Sequence, residues 1–289
     1  MPNSINYSSI FTQNLDKLIE QTATTSWMTA NASRVKYNGG DEFKLAVIGL
    51  DALSDYDRAD GFATGAISFD WKTYTFDYDR GRKFRIDAMD TDETNFVLDA
   101  STAMGEFVRT KVVPEVDMVR LAKLAGYGSE VPANASGAIA TLKDAIIAIR
   151  NTGYDGQLVA HVSFDFLRKL EDDLSDKLGV INFNGIDFPA LQDTILIPTV
   201  ADRLVSAVKK DGTTKVISKA DNAVDLELII TGVEVPLGIV KHNPFKVINP
   251  EANQEADAYD VHYRLYHTLV VEYNKTGIVK YVVKNGGSF

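Results

Sequence analysis

The chain has 289 residues, of which 45% are hydrophobic, and this is enough to bury a core in one large domain or two ordinary ones. Thirty basic against forty acidic side chains give a net charge of −10, which argues against wrapping nucleic acid. The absence of cysteine excludes disulfide bonds and thiolate metal sites. No stretch approaches the roughly 20 apolar residues of a membrane span, so we expect a soluble protein without a membrane partner.

Residues 1–38 are predicted to form an arm. They hold one short helical pattern between Ile10 and Ile19, followed by a run rich in threonine and alanine around Trp27. The arm has too little apolar surface to fold alone, so we expect it to lie across another part of the molecule or a neighbour. Its first residues show no signal-peptide pattern.

The residues from Asp41 to Ala88 alternate with a period of two, which predicts β-strands. The alternating apolar residues are Phe43, Leu45 and Val47, then Ile67, Phe69 and Trp71, then Phe84 and Ile86. After Thr73 the alternation moves to Tyr74 and Phe76, which indicates a bulge or a change of face. We interpret the first two strands as a long hairpin that finds its partner on another molecule, with an ordinary surface hairpin as the alternative.

Charged residues concentrate at the tip of this hairpin and in the third strand. The candidate inter-subunit contact residues are therefore Asp55, Asp57, Arg58 and Asp60 at the tip and Arg80, Arg82, Lys83 and Arg85 in the basic run. Charge pairing between these groups on different subunits should weaken with salt. The tip acids do not form a calcium loop, because the twelfth position counted from Asp55 is Ala66 and not the required glutamate.

Residues 90–127 predict one long helix. Apolar residues recur at spacings of three and four from Phe96 to Leu124, and Asp90 and Glu93 provide an N-terminal cap. About 35 residues at 1.5 Å each make a rod of roughly 50 Å. The helix should therefore be a spine that lies across a flat object.

The end and the middle of this helix carry their own signals. Gly126 or Gly128 is predicted to close the helix in the left-handed conformation. Pro114 lacks an amide proton and crowds the carbonyl of Thr110, which predicts a bend. The alternative is two helices that meet at Val113.

The rest of the chain predicts a mixed α/β block and a block of strands. The predicted elements are a helix from Ile139 to near Gly153, a strand 158–162, a helix capped by Ser163 and ending before Gly179, and strands 194–200, 205–209, 214–217, 226–233, 261–266, 269–273 and 278–283. Asn184-Gly185 predicts a turn. His262 and His267 should lie on opposite faces of one strand, where they cannot jointly hold a metal ion.

One short motif points to an enzyme. Gly39-Gly40-Asp41-Glu42-Phe43 spells the signature pentapeptide of diguanylate cyclases. In that family the motif lies well inside an α/β domain, whereas only a polar arm precedes it here, so we interpret the match as accidental. No P-loop, nucleophile elbow or dinucleotide-binding motif occurs. The sequence therefore predicts no catalytic residue, cofactor or metal site.

Several short motifs, in consistent order along nearly the whole chain, resemble the major capsid proteins of tailed phages of the siphophage type from Gram-positive hosts. These motifs are Asp55-Tyr56-Asp57-Arg58, Gly61-Phe62, Trp71, Asp79-Arg80-Gly81-Arg82-Lys83-Phe84, Asp87-Ala88-Met89-Asp90-Thr91-Asp92-Glu93-Thr94, Tyr263-Arg264-Leu265-Tyr266-His267 and Asn274-Lys275-Thr276-Gly277-Ile278. The resemblance implies an α+β protein with the HK97-like capsid fold. Its parts would be an N-terminal arm (1–38), an extended β-hairpin loop (39–89), a peripheral-domain spine helix (90–134), an axial α/β domain (135–240) and peripheral-domain strands (241–289).

The resemblance also implies a function without catalysis. The protein would self-assemble as hexamers and pentamers into an icosahedral phage head that encloses double-stranded DNA without sequence-specific binding. Expected partners are other copies, a separate scaffolding protein, a portal and possible decoration proteins, with assembly in the host bacterial cytoplasm and a final place in the virion. The alternatives are a non-viral HK97-like nanocompartment shell and, remotely, a nucleotide cyclase. Because no charged helical extension precedes the arm, we expect a chain that begins at Met1 without proteolytic trimming.

Overall fold

The computed structural model describes residues 23–34, 36–37, 41–56, 58, 62, 64–87, 89, 100–174, 178–214, 216–242, 245–248 and 250–284. The chain divides into two compact units. The larger unit comprises Met1–Ala32 and Tyr78–Phe289, and the smaller unit comprises Ser33–Asp77.

Helices and strands are mixed along the chain, which confirms the α+β class. The described helices are α1 (Ala100–Phe107), a π turn (Val108–Val112), α2 (Val113–Tyr127), α3 (Ala138–Arg150) and α4 (Phe164–Leu174), with short 3-10 helices at Ser26–Arg34, Ala201–Arg203, Pro250–Ala252 and Tyr273–Ile278. The described strands are β1 (Lys36–Tyr37), β2 (Glu42–Leu50), β3 (Ile67–Thr75), β4 (Tyr78–Asp87), β5 (Ser129–Glu130), β6 (Leu158–Ser163), β7 (Gly179–Phe183), β8 (Ile186–Leu191), β9 (Thr194–Thr199), β10 (Val208–Lys210), β11 (Ile217–Lys219), β12 (Leu226–Gly232), β13 (Pro236–His242), β14 (Phe245–Ile248), β15 (Ala258–Val271) and β16 (Lys280–Val283).

A seven-stranded sheet of described strands, in the order β5-β16-β12-β6-β9-β8-β7, forms the centre of the larger unit. Strand β6 pairs in parallel with β9 and antiparallel with β12. Helices α3 and α4 cover one face of the sheet through residues such as Leu142 and Phe166. The other face packs against α2 and the N-terminal segment through Leu124, Trp27 and Met28. The sheet is therefore buried on both faces, as the continuous apolar runs of its central strands require.

The second sheet of the larger unit is built on the long strand β15. Strands β13 and β14 pair along one edge of β15, and β4 pairs along the other edge for ten residues. The prediction of two strands, 261–266 and 269–273, is therefore wrong. No glycine, proline or turn residue separates Tyr266 from Leu269, and both intervening residues are buried, so the strand continues past the point where its partner changes.

The spine helix is continuous through Val113, and its predicted irregularity takes the form of a π turn directly before Pro114. The Val113 N–H donates to the carbonyl of Val108, five residues earlier. This widened turn accommodates a proline ring that would crowd the carbonyl of Thr110 in a regular helix. The predicted N-terminal cap at Asp90 and Glu93 lies outside the described residues.

The predicted left-handed glycine at the end of the helix is wrong. Helix α2 ends at Tyr127, and Gly128 follows in an extended conformation with φ −85° and ψ 179°. Gly126 is not among the residues with positive φ either. A Cβ on Gly128 would lie 2.8 Å from Val279 Cγ1 and 3.1 Å from the Val279 carbonyl oxygen. Close approach to Val279, and not a left-handed turn, is what requires glycine here.

The two glycines should therefore respond in opposite directions to alanine. Gly126→Ala should raise the free energy of unfolding by up to about 1 kcal/mol, because the site is helical and open. Gly128→Ala should lower it by about 1 to 3 kcal/mol through overpacking against Val279. Urea denaturation of both variants measures this, and equal shifts would contradict the space argument.

The described part of the predicted arm packs into the larger unit of its own chain, around the buried carboxylate of Asp117. This carboxylate accepts hydrogen bonds from the backbone N–H and the hydroxyl of both Thr24 and Thr25, at 2.6 to 3.2 Å. Arg203 forms an ion pair with the same carboxylate at 2.8 Å. These contacts fix the N-terminal segment to the spine helix, since a buried charge must be fully hydrogen-bonded.

A second buried contact joins this segment to the seven-stranded sheet. Trp27 Nε1 donates to His161 Nε2 at 3.2 Å, and His161 Nδ1 lies 3.1 Å from the hydroxyl of Thr199. That hydroxyl donates to the carbonyl of Ile197, so it accepts the Nδ1 proton of His161. The geometry requires the neutral imidazole, and burial lowers the pKa of His161 to about 4, opposed by the charge of Asp117.

Candidate assembly surface

The smaller unit contains the predicted long hairpin. Strands β2 and β3 pair antiparallel from Glu42 opposite Thr75 to Leu50 opposite Ile67, with no shift of register. The predicted pairing of these two strands is confirmed, and their partner on another molecule stays a prediction. Of the two readings of the sequence near Thr73, the continuous register excludes a bulge and leaves a change of face.

The outer half of this hairpin has one apolar and one polar face. Residues directly opposite each other in an antiparallel pair share a face. The apolar face consists of the pairs Ala46–Trp71, Ile48–Phe69 and Leu50–Ile67, and the polar face includes the pairs Val47–Asp70 and Gly49–Ser68. The apolar residues of the two strands therefore lie on the same face of the hairpin.

The apolar face is open to solvent. The exposed fractions are 60% for Ile48, 72% for Leu50, 77% for Ile67, 54% for Phe69 and 41% for Trp71. A contiguous exposed apolar patch of this kind is typical of an interaction site. A two-stranded hairpin is also marginally stable without a partner. These five residues, called the apolar face below, are the candidate assembly surface.

The base of the hairpin uses the opposite face. Phe43 is buried, stacks on Tyr74 at 5.8 Å between ring centroids, and meets Phe76 at 5.1 Å. Sequence reasoning followed this pattern from Phe43 through Leu45 to Val47 and so missed Ile48 and Leu50. Ile48 and Leu50 point to the face opposite that of Phe43. This pattern identifies them only when the register, which places them opposite Phe69 and Ile67, is known.

The tip of the hairpin carries the predicted charged residues. Asp51 closes its neck, since its side chain accepts a hydrogen bond from the Ala66 N–H at 2.7 Å. Asp55 and Arg58 are exposed and form no ion pair with another described residue. Asp57 and Asp60 lie outside the described residues. Asp55 and Arg58 are thus available for a charged partner.

Most of the predicted basic run is paired within the chain. Arg80 forms two hydrogen bonds with Glu115, at 2.6 and 3.0 Å. Lys83 and Arg85 both pair with Asp260, at 2.7 and 2.8 Å, and hold the pKa of that carboxyl well below its usual range. These three side chains fix β4 to α2 and to β15 within the larger unit. Their predicted role between subunits stays a prediction, and their intrachain pairs argue against it.

Among the residues singled out for catalysis or metal binding, Gly39 and Gly40 lie outside the described residues. Glu42 begins β2 opposite Thr75, and Phe43 is buried in the hairpin base. His262 and His267 lie on opposite faces of β15, because they are five positions apart and β15 pairs with β4 without a shift of register. Within the described ranges, no three acidic or histidine side chains are placed to hold a metal ion. No described helix is long and apolar enough to cross a bilayer.

Comparison with known proteins identifies the fold. No protein-family model matches the chain, and no curated protein matches it. Among solved structures, one from Mycobacterium phage Che8 matches with a TM-score of 0.56 at 12% identity, covering 88% of this chain and 90% of the other. The mature capsid of bacteriophage PhiM1 matches with a TM-score of 0.58 at 10% identity, over 85% and 83% of the two chains. A virus-like particle from Pyrococcus furiosus matches with a TM-score of 0.54 at 11% identity, over 96% and 100%.

These similarities, together with the long β15, the spine helix and the β2–β3 hairpin, define the class. The chain has the HK97-like capsid fold, as the resemblance in the sequence implies. At sequence identities of 10 to 12%, these structural similarities establish the fold of the chain and nothing narrower.

Proposed function

We propose that this protein is a major capsid protein of a tailed bacteriophage. It self-assembles as hexamers and pentamers into an icosahedral head that encloses double-stranded DNA. The observation that carries the proposal is the apolar face, on which four of the five large side chains are more than half exposed. A protein that exposes such an apolar face requires a second molecule to bury it.

The form of the contact favours closed rings. An apolar face on one subunit must meet a different surface on the next, and such heterologous contacts form rings when the rotation closes. The net charge of −10 fits a shell protein that encloses DNA without binding it tightly. In this proposal the protein acts with a separate scaffolding protein, a portal and decoration proteins. It assembles in the cytoplasm of a Gram-positive host and ends in a virion of the siphophage type, with the five segments as predicted.

A non-viral shell is the second candidate. The virus-like particle from Pyrococcus furiosus covers 96% of this chain and is itself covered completely. A cyclase has less support, since Phe43 of its motif serves as a core residue of the hairpin base. Particle contents separate the two shells, because a phage head holds nuclease-protected DNA and a nanocompartment holds protein cargo.

Purified protein should form closed shells or curved polymers at high concentration. Sedimentation velocity detects the assembly and negative-stain electron microscopy shows its shape. Apolar burial drives the process, so assembly should persist at moderate salt. A strictly monomeric protein at every concentration and salt tested, with or without co-expressed phage proteins, would overturn the proposal.

A further inference from the structure

A cavity of about 370 Å³ lies in the larger unit, between the start of α3, helix α4 and strand β12. Its wall includes Ala138 and Thr141 from α3, Phe166 and Lys169 from α4, and Glu227 from β12. Pockets of this size hold small organic molecules. The groups that line the wall determine which kind of molecule fits.

A β-bulge places Glu227 in this wall. The pairing of β12 with β16 shifts between Leu226 and Leu228. These two leucines would share a face in a regular strand, but they pack on opposite faces of the seven-stranded sheet. Glu227 therefore faces the helices together with Leu228 and reaches Lys169 of α4. Bulges re-aim side chains in this way and are frequent beside functional sites.

The carboxylate of Glu227 is buried, and only one of its oxygens has a partner. The side chain is 3% exposed, and Oε1 accepts a hydrogen bond from Lys169 Nζ at 3.1 Å. Oε2 accepts no hydrogen bond from any residue that the structure describes. A buried ionised carboxylate is stable when both oxygens accept hydrogen bonds. A ligand in the cavity with a suitable N–H group can supply the missing bond.

The charges of the wall favour a cation. The carboxylates of Asp172, Asp173 and Glu227 face the two cations Arg168 and Lys169, which leaves one negative charge in excess. A metal ion does not fit, because no three acidic or histidine side chains in the described part of the chain converge on one point. An ammonium group fits, since its three N–H donors can reach separate oxygens.

We propose that this cavity binds a small organic cation, consisting of a primary ammonium group on a short apolar chain. The ammonium donates a charge-assisted hydrogen bond to Glu227 Oε2. The apolar part of the wall, which includes Phe166 and Ala138, accommodates the chain. The site shares no residue with the apolar face of the hairpin, so its test is independent of assembly.

An anion is the competing ligand and fits less well. The start of α3 and the two basic side chains would attract it. However, the helix already has an anionic cap, because the N–H groups of Ala138 and Ile139 lie 3.0 and 3.4 Å from Asp173 Oδ2. Lys169 is already paired with Glu227. An anion would therefore have to displace one carboxylate and lie close to another.

Three probes with the same chain and different head groups test the proposal. They are pentylammonium, pentanol and pentanoate, and ligand-observed NMR on the purified protein gives their dissociation constants. Pentylammonium should bind at least about tenfold more tightly than pentanol, because a hydrogen bond between charged groups contributes that much. Equal binding of pentanol, tighter binding of pentanoate, or no binding of pentylammonium would each overturn the proposal.

Variants locate the bound ammonium. Glu227→Gln keeps the shape of the side chain and should weaken pentylammonium binding by about tenfold or more, with pentanol unaffected. Saturating pentylammonium should raise the melting temperature of the parent protein and not that of this variant. Unchanged affinity in a variant that circular dichroism shows to be folded would contradict the proposal.

A second variant remains decisive if Glu227→Gln does not fold. Asp172 is exposed at the wall of the cavity, and Asp172→Asn should weaken pentylammonium binding by about two- to fivefold. The matched control is Glu171→Gln, which changes the neighbouring exposed acid, one that does not line the cavity. This control should bind like the parent protein. Equal affinities of the two variants would count against the site.

Discussion

Replacing Ile48 and Phe69 by serine should give a folded, soluble subunit that no longer assembles. The two side chains lie directly opposite each other on the apolar face and are more than half exposed in the single chain. Their removal therefore costs the isolated subunit little. Burial of two such side chains at a contact contributes about 3 to 5 kcal/mol, which corresponds to a loss of more than about a hundredfold in association. Sedimentation velocity and electron microscopy measure the result.

The matched control for this change is Asp70→Ser. Asp70 is exposed and adjacent to Phe69 but lies on the polar face of the hairpin. This variant should assemble like the parent protein. If the two variants assemble equally well, the apolar face is not the assembly surface, and the proposed function loses the observation that carries it.

Lowering the pH from 7.5 to 5 should reduce the free energy of unfolding by about 2 kcal/mol for each of two buried histidines. Burial lowers the pKa of His161 to about 4 and of His267 to about 3, from 6.5 for an exposed histidine. Below pH 6.5 the unfolded chain binds protons that the folded chain excludes. The stability that the two neutral histidines provide is therefore fully present above pH 6.5. It is lost progressively as the pH falls toward the pKa values of the folded protein.

The environment of His267 explains its strong resistance to protonation. Besides burial, the positive charges of Arg120, Lys123 and Arg80 lower its pKa. Its ring stacks on Tyr78 with 5.7 Å between centroids, and neither ring nitrogen has a hydrogen-bond partner among the described residues. Protonation would place an unpaired charge among three cations.

His267→Phe separates this histidine from the other. Phenylalanine keeps the ring against Tyr78 and removes a buried polar group, so stability at pH 7.5 should be unchanged or higher. About half of the acid-induced loss should disappear. Urea denaturation at pH 5, 6 and 7.5 measures it, and a variant with the full parental pH dependence would show that His267 does not titrate as described.

Elements determined by local pattern were predicted correctly. Helix α3, strand β6 and strand β12 appear at the expected places, because apolar spacing and turn residues determine them. The cap of α4 is also confirmed, since the Ser163 hydroxyl accepts a hydrogen bond from the Phe166 N–H. Asn184 and Gly185 both have positive φ, as a tight hairpin turn requires.

Elements determined by a distant partner were not predictable. The continuity of β15 depends on β13 and β14 in succession, and the extended Gly128 depends on Val279. The same holds for the candidate site. The charges of the basic run are visible in the sequence, but that Lys83 and Arg85 already pair with Asp260 follows only from the pairing of β4 with β15.

The way the N-terminal segment is held has a consequence for synthesis. Asn31 donates hydrogen bonds to the carbonyls of Val233 and Pro236, over separations of 202 and 205 residues, and Trp27 reaches His161 over 134. A ribosome makes Asn31 early and its partners late, so the hydrogen bonds of Asn31 form only after most of the chain has been translated. In a chain that ends before Pro236, the side chain of Asn31 lacks a hydrogen-bond acceptor that it has in the complete fold. A truncated chain therefore cannot complete the docking of residues 23–31.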